Sequence, residues 1–424
     1  METTNQRIQL TNLPVELLFL IFRQAHCLQT RLRIYSVLRL VCRALDRAGT
    51  QLAFESFTVT ISPLTSSDSL ETLHTIFENH AHCIRTLTIH NTISRKCNVE
   101  KQTISRNAQH IIRRGFLLCT QIRSLACLGS HGMFSSRSWI SLRPPASLTS
   151  LTFTPNKSST DLSYCLLAMR DSLRSLKIIT WCSQNDNPSR FHLPSSLPHL
   201  TDLTLIGCDP PPPHMKKLFS RIITPSSPQN TTPAVPLRSL TVTLPGRSIP
   251  SILADIVSIL ATRQFGTHLR TLCINVPRDC DMEATIPTDL LRLCPNLVEF
   301  TYHCHRVWES VLRSLPSTLA VLELSPREHA TSSSNIPLDE ENLSPQFLAL
   351  WLRDGPQRKR SAPGLRRVIV NVDTIDLFIM MRILKSELRF ARTIRTAFFT
   401  CLDISLEGQT IEITPSYSSR LRLT

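Results

Sequence analysis

Glycine is scarce in this chain. Ten are present in 424 residues, where average usage of about 7% would supply about 30. That speaks against folds built on glycine-lined phosphate loops, and neither GxGxxG nor GxxxxGK[ST] occurs. HExxH and GxSxG are absent as well. Lysine is nearly missing: 8 residues against 39 arginines, a bias toward the planar, permanently charged donor. Tyrosine and tryptophan number four each, too few to interleave with basic residues as readers of single-stranded nucleic acid require. The longest apolar run near the N-terminus, Leu17 to Phe22, is far short of the ~18–20 residues of a membrane span. Met1 to Thr11 is polar and lacks the core of a signal peptide, so a cytoplasmic or nuclear protein is expected. None of the 14 cysteines forms a CxxC pair, which excludes a zinc ribbon and leaves no disulfide framework. Small buried hydrophobes in a reducing compartment are expected instead.

What remains is 42% apolar and 19% charged, a composition that folds, with a net charge of +15. No nucleophile–base pair follows from spacing, so the expectation is a non-catalytic protein without a cofactor. The dominant signal is a repeat. Apolar–x–x–apolar–x–apolar, often written Leu-Arg-Ser-Leu-x-Ile, recurs ten times. The copies are Ile84/Leu87/Ile89, Ile122/Leu125/Cys127, Leu148/Leu151/Phe153, Leu173/Leu176/Ile178 and Leu200/Leu203/Leu205. They continue at Leu237/Leu240/Val242, Leu269/Leu272/Ile274, Leu297/Phe300/Tyr302, Leu319/Leu322/Leu324 and Leu365/Val368/Val370. The last two positions alternate, as a short strand with one buried face requires.

Helical faces lie between copies. Leu70, Leu73, Ile76 and Phe77 share one, with Asp68 as the expected N-cap and Glu71 three residues on. Ile252, Leu253, Ile256, Ile259 and Leu260 share another, as do Leu290, Leu291 and Leu293. The spacing falls mostly in the roughly 20–29-residue band of leucine-rich repeats, and residues 55–405 resemble that superfamily. The resemblance implies an α/β fold: an irregular solenoid, or horseshoe, with a parallel concave sheet. The Asn or Cys expected three residues after the third apolar position occurs only as Asn156 and Cys208. Pro/Ser/Thr-rich stretches at 209–236 and 326–364 read as loop insertions, the second carrying the basic run Arg358-Lys359-Arg360. Residues 406–424 read as a tail or cap.

After a polar tail (1–9), residues 10–54 depart from the repeat. Leu13-Pro14-Val15-Glu16-Leu17-Leu18 opens a helix, with Pro at its first position and a carboxylate in its first turn. A second segment places Ile34, Leu38, Val41 and Leu45 at helical spacing around Leu40-Val41-Cys42-Arg43. L-P-x-E-L-L-x-x-I-F followed by L-R-L-V-C-R resembles an F-box, the small helical module that docks a Skp-type adaptor. Leu45 stands where an aromatic residue is frequent, and the loop from Cys27 to Arg33 is longer and more basic than usual. By resemblance the adaptor-binding residues are Leu13, Pro14, Glu16, Leu17, Ile21, Leu40, Val41 and Cys42, flanked by Arg43. So many apolar residues on so small a unit exceed what its own core hides.

An F-box ahead of leucine-rich repeats resembles the substrate receptors of cullin–RING ubiquitin ligases, in style the fungal members. The implied partners are a Skp-type adaptor, a cullin through it, and a target protein; membrane and nucleic acid are not expected. Residues between the apolar positions, among them Thr86, Thr88, Ser150, Thr152, Ser239, Thr241, Glu299, Glu323 and Arg367, should face the open side of the sheet. Arg85, Arg123, Arg174, Arg238, Arg270 and Arg366 directly follow a first apolar position and should stack along one rim, able to meet acidic or phosphorylated targets or a nucleic-acid backbone. The alternative is a solvated edge, charged to discourage sheet-edge association. The competing reading is a basic solenoid for nucleic acid or acidic partners, its N-terminal helices acting only as a cap. His80/His82/Cys83 and His303/Cys304/His305 lack spacings that wrap a tetrahedral ion, so no metal is expected.

Overall fold

A computed structural model of the chain describes residues 43–93, 99–129, 144–154, 159–179, 197–207, 218, 237–243, 249–263, 265–276, 285–303, 309–324, 351, 362–372, 400–405 and 412–416. They fall into two compact units, Met1–Leu173 and Arg174–Thr424.

In the first unit, helix α1 (Arg43–Glu55) runs directly into strand β1 (Ser56–Ile61). Helix α2 (Ser67–His80), a 3-10 turn (Ala81–Cys83), β2 (Thr86–Asn91), α3 (Val99–Leu118), β3 (Ser124–Gly129), β4 (Ser150–Phe153) and α4 (Ser159–Ala168) follow. Strands β1 to β4 are parallel neighbours in chain order. Ser66, in extended backbone, caps α2 by accepting from the Ser69 amide at 3.2 Å. Asp68 therefore sits in the first turn rather than at the cap. There it still meets the positive end of the helix. Leu70, Leu73 and Phe77 turn inward, and Phe77 meets the Phe57 ring of β1 edge-on, centroids 5.8 Å apart.

The second unit contains β5 (Ser175–Ile179), β6 (Asp202–Ile206), β7 (Ser239–Thr243), helix α5 (Ile249–Arg263) and a 3-10 turn (Phe265–His268). It continues through β8 (Thr271–Asn275), α6 (Thr285–Leu293), β9 (Glu299–His303), α7 (Glu309–Arg313), β10 (Val321–Leu324) and β11 (Arg367–Val372). From β5 to β11 every neighbour is parallel. Strands β12 (Thr400–Ser405) and β13 (Glu412–Ser416) then add antiparallel, so the parallel order ends at β11. β13 lies within the span read from sequence as a tail or cap.

Each repeat is a strand with an alternating face. Leu87, Leu125 and Leu151 are in register and wholly buried, as are Leu176, Leu203, Leu240, Leu272, Phe300, Leu322 and Val368. All ten middle apolar positions of the sequence pattern thus lie in parallel strands. A slip of one residue would turn the whole row to solvent, so the buried face sets the register. In eight of the ten copies the amide of the first apolar residue donates to the carbonyl three residues earlier, closing a turn that aims the chain into its strand, as Leu297 does to Cys294 at 3.2 Å. Asn156 and Cys208 lie outside the described residues. Side chains one place before the first apolar position make the ladder instead. Ser147 donates to the carbonyls of Thr120 and Ile122, Asn296 to Thr267, and Thr318 to Pro295 and Leu297. Each satisfies turn carbonyls of the preceding repeat.

Two described glycines take a positive φ, Gly207 at +59 and Gly129. Gly129 ends β3 at φ +124, against the Asn91 carbonyl of the neighbouring strand, where a Cβ would have no room. Among the described residues no helix is long and apolar enough to cross a membrane.

Candidate target-binding surface

Leu13, Pro14, Glu16, Leu17, Ile21, Leu40, Val41 and Cys42 lie outside the described residues; Arg43 is the first residue of α1. What the structure places is the other end of that module. Leu52 of α1 is buried, and the Phe54 ring stacks on His80 at 4.2 Å, so α1 packs against the first repeat.

The six arginines occupy one structural position, the residue immediately before a strand. In all but Arg366, beyond which the next strand is antiparallel, its carbonyl accepts two amides from the next repeat: the Arg238 carbonyl takes the Arg270 and Thr271 amides at 2.7 and 3.0 Å. The same forked bond links Arg85 to Arg123 and Ser124, and Arg174 to Thr201 and Asp202. These residues therefore form a column in each unit, but not an unbroken basic line. In the first unit it reads Glu55, Arg85, Arg123, Thr149; in the second, Arg174, Thr201, Arg238, Arg270, Val298, Ala320, Arg366. Two arginines are adjacent once in each unit. Arg85 is partly neutralised by Glu55 at 3.5 Å, both half-buried. Arg238 and Arg270 are exposed, and neither forms an ion pair among the described residues.

Arg238 and Arg270 flank a cleft of about 380 Å³ completed by Thr267, His268 and Asn296. The Arg270 Nη1 donates to the Asn296 carbonyl at 3.2 Å, which holds the guanidinium in place, and the Asn296 amide nitrogen donates to the Thr267 carbonyl at 2.8 Å. Sequence reasoning found the two arginines and missed the other three residues. Their signal was an offset on the other side of the first apolar position: His268 and Asn296 stand one place before Leu269 and Leu297, and Thr267 two places before Leu269.

The open face of the sheet in the second unit carries the alternate strand residues, which are half-exposed or exposed. Glu323 of β10 anchors a polar group there: His303 Nε2 lies 3.3 Å from it, and Thr301 donates to it at 3.4 Å. On β8, Asn275 donates to Thr243 at 2.8 Å and accepts from Cys273 at 3.9 Å. Burial and the charge of Glu323 push the Cys273 thiol up to about 11, against hydrogen bonds to Asn275 and Thr241 that pull it down. At neutral pH it is a thiol, not a nucleophilic thiolate. Burial likewise pushes Cys119, Cys127 and Cys294 up to about 12. Among the described residues no cluster of His, Cys, Asp and Glu could hold a metal ion.

No protein-family model and no curated protein matches this chain. Among solved structures, the crystal structure of the Rad7 and Elc1 complex in yeast is similar at 14% sequence identity with a TM-score of 0.31. The match covers 76% of this chain and 92% of that one. At that score the likeness carries no weight for function.

Proposed function

We propose that the chain is the non-catalytic substrate-recognition subunit of a Skp–cullin–F-box ubiquitin ligase. Residues 10–54 dock a Skp-type adaptor, and through it a cullin; the repeats, read as leucine-rich repeats, hold a target protein. The observation that carries this reading is the ordered pair L-P-x-E-L-L and L-V-C-R, standing directly ahead of stacked parallel repeats. The join between them supports it further. α1 is described from Arg43, the last residue of the second motif, and passes into β1 with no intervening linker. A short, packed join holds a bound target at a restricted distance from the adaptor. Effective concentration is the whole contribution of such a receptor.

Co-purification of a Skp-type adaptor with the full chain tests the reading. Pro14 presets the first helical turn, and Leu17 and Ile21 share a face at i and i+4. Leu17→Asp would lose apolar burial and place an unpaired charge in the docking groove, several kcal/mol in all. Adaptor affinity should fall roughly a hundredfold or more. Leu17→Asp with Pro14→Ala is expected to abolish co-purification while circular dichroism stays unchanged. Survival of adaptor binding would refute the docking role. Collapse of the whole chain would return the segment to the second reading, a cap on a basic solenoid, which the charge of +15 favours.

A further inference from the structure

The structure assigns the Arg238–Arg270 cleft to the phosphoryl group of a phosphorylated peptide; calling that peptide a ligase target rests on the receptor reading above. Three features define the ligand. The first is geometry. Residues facing each other on β7 and β8 are about 4.8 Å apart, and Arg238 and Arg270 stand at the same position on those adjacent strands. Both side chains line the one cleft, and two guanidinium forks borne on neighbouring strands can reach one tetrahedral oxyanion, where planar donors give short, directional, charge-assisted bonds. Arg270 is held by the Asn296 carbonyl, so less freedom is lost when the anion arrives. His268 and Thr267 line the same cleft and add hydrogen-bonding groups.

The second feature is isolation. Neighbouring positions in the column are Thr201 on one side and Val298 with Ala320 on the other. One row inward, Asp202 precedes Ser239 and Glu299 follows Thr271 across the sheet. Carboxylates thus stand one strand out on both sides of the arginine pair. A nucleic-acid backbone crossing the strands would meet them; a single phosphate seated between the arginines would not.

The third feature is the neighbouring surface. Among the described residues the open face from β5 to β11 offers Ser, Thr, Asn, Asp, Glu, Lys, Arg, Cys273 and aliphatic side chains; its one ring is His303, held at Glu323, and no Phe, Tyr or Trp is there for bases to stack on. Hydroxyl and amide groups suit an extended peptide.

The test uses the full chain co-expressed with a Skp-type adaptor. It compares binding of a short random-sequence peptide pool bearing one central phosphoserine, the same pool unphosphorylated, inorganic phosphate, and a short single-stranded RNA. The phosphorylated pool should bind roughly tenfold or more tightly than the unphosphorylated one, and inorganic phosphate should compete only at far higher concentration. Arg238→Gln with Arg270→Gln should erase the difference. Arg238→Lys with Arg270→Lys keeps the charge but not the forks and should lose most of it, which decides the matter should the Gln variant fold poorly. Arg292→Gln, on α6 beside Asp289, should change nothing. Equal binding of both pools would overturn the assignment. So would RNA binding through these arginines without phosphopeptide binding, or inorganic phosphate binding as tightly as the pool. Adaptor retained without phosphate discrimination sinks this inference alone; discrimination retained without adaptor sinks only the receptor reading.

Discussion

Gly115 lies in α3 where that helix crosses α2. Replacing it by Ala in an open helix would stabilise by about 1 kcal/mol, because the glycine backbone loses more freedom on folding. Here the added Cβ would land on the Phe77 ring, 2.6 Å from Cδ1 and closer still to Cγ and Cδ2. The ring has nowhere to go. Phe77 is 1% exposed, Phe57 packs perpendicular to its ring, and Phe57 leans on Phe54 at 6.1 Å. Overpacking of this kind costs about 1–3 kcal/mol, and a backbone-anchored Cβ against a locked ring belongs at the upper end. The net for Gly115→Ala is then about 2 kcal/mol of destabilisation. At about 2–4 °C per kcal/mol in a domain of this size, Tm should fall by about 4–8 °C. Urea unfolding followed by circular dichroism measures it. Phe77→Leu should relieve the clash, so the double variant should be at least ~1 kcal/mol more stable than the two single effects add up to. An unchanged or raised Tm for Gly115→Ala, or strict additivity of the pair, would refute this account of the α2–α3 contact.

Two further outcomes test the sheet and its thiols. Leu272→Ala in β8 should cost about 2–5 kcal/mol by leaving a cavity beneath the sheet, whereas Thr271→Ala, one residue away on the open face, should stay within about 0.5 kcal/mol; similar urea midpoints for the two would contradict the assigned register. The buried thiols bind their protons more tightly folded than unfolded, raised from an ordinary 9.0 to about 12 at Cys119, Cys127 and Cys294. Their contribution is complete below about pH 9 and is lost as pH rises toward about 12. Stability should therefore decline over that alkaline window, and Cys127→Ala should flatten the decline; an unchanged pH slope in chemical denaturation would count against it.

Much of this fold was legible in one dimension. A strand with one buried face must alternate, and parallel strands in register must repeat that alternation, so Leu87, Leu125, Leu151 and their counterparts announced both strand and stacking. The helical face of Leu70, Leu73 and Phe77 was equally plain, because burial selects residues three and four apart. Its cap was not. Ser66, Asp68 and Ser69 are all competent residues, and the capping group is decided by which of them sits in extended backbone as the chain leaves β1. The antiparallel β12 and β13 carried no repeat signal, since they pair outside the pattern.

The sequence by itself determined that this chain builds stacked strand-and-return units with arginine at a repeated offset, because periodic burial leaves its mark on every copy. Only the tertiary structure decided what adjoining copies bring together. Loops of unequal length make the neighbour of Arg238 in space a residue 32 positions away, Arg270, while the next column position on the other side is a threonine. Ser147, Asn296 and Thr318 reach back to the turn before their own for the same reason. Hydrogen-bond ladders and charge pairs depend on distance between repeats, and distance is set by packing, which no single copy of the motif encodes.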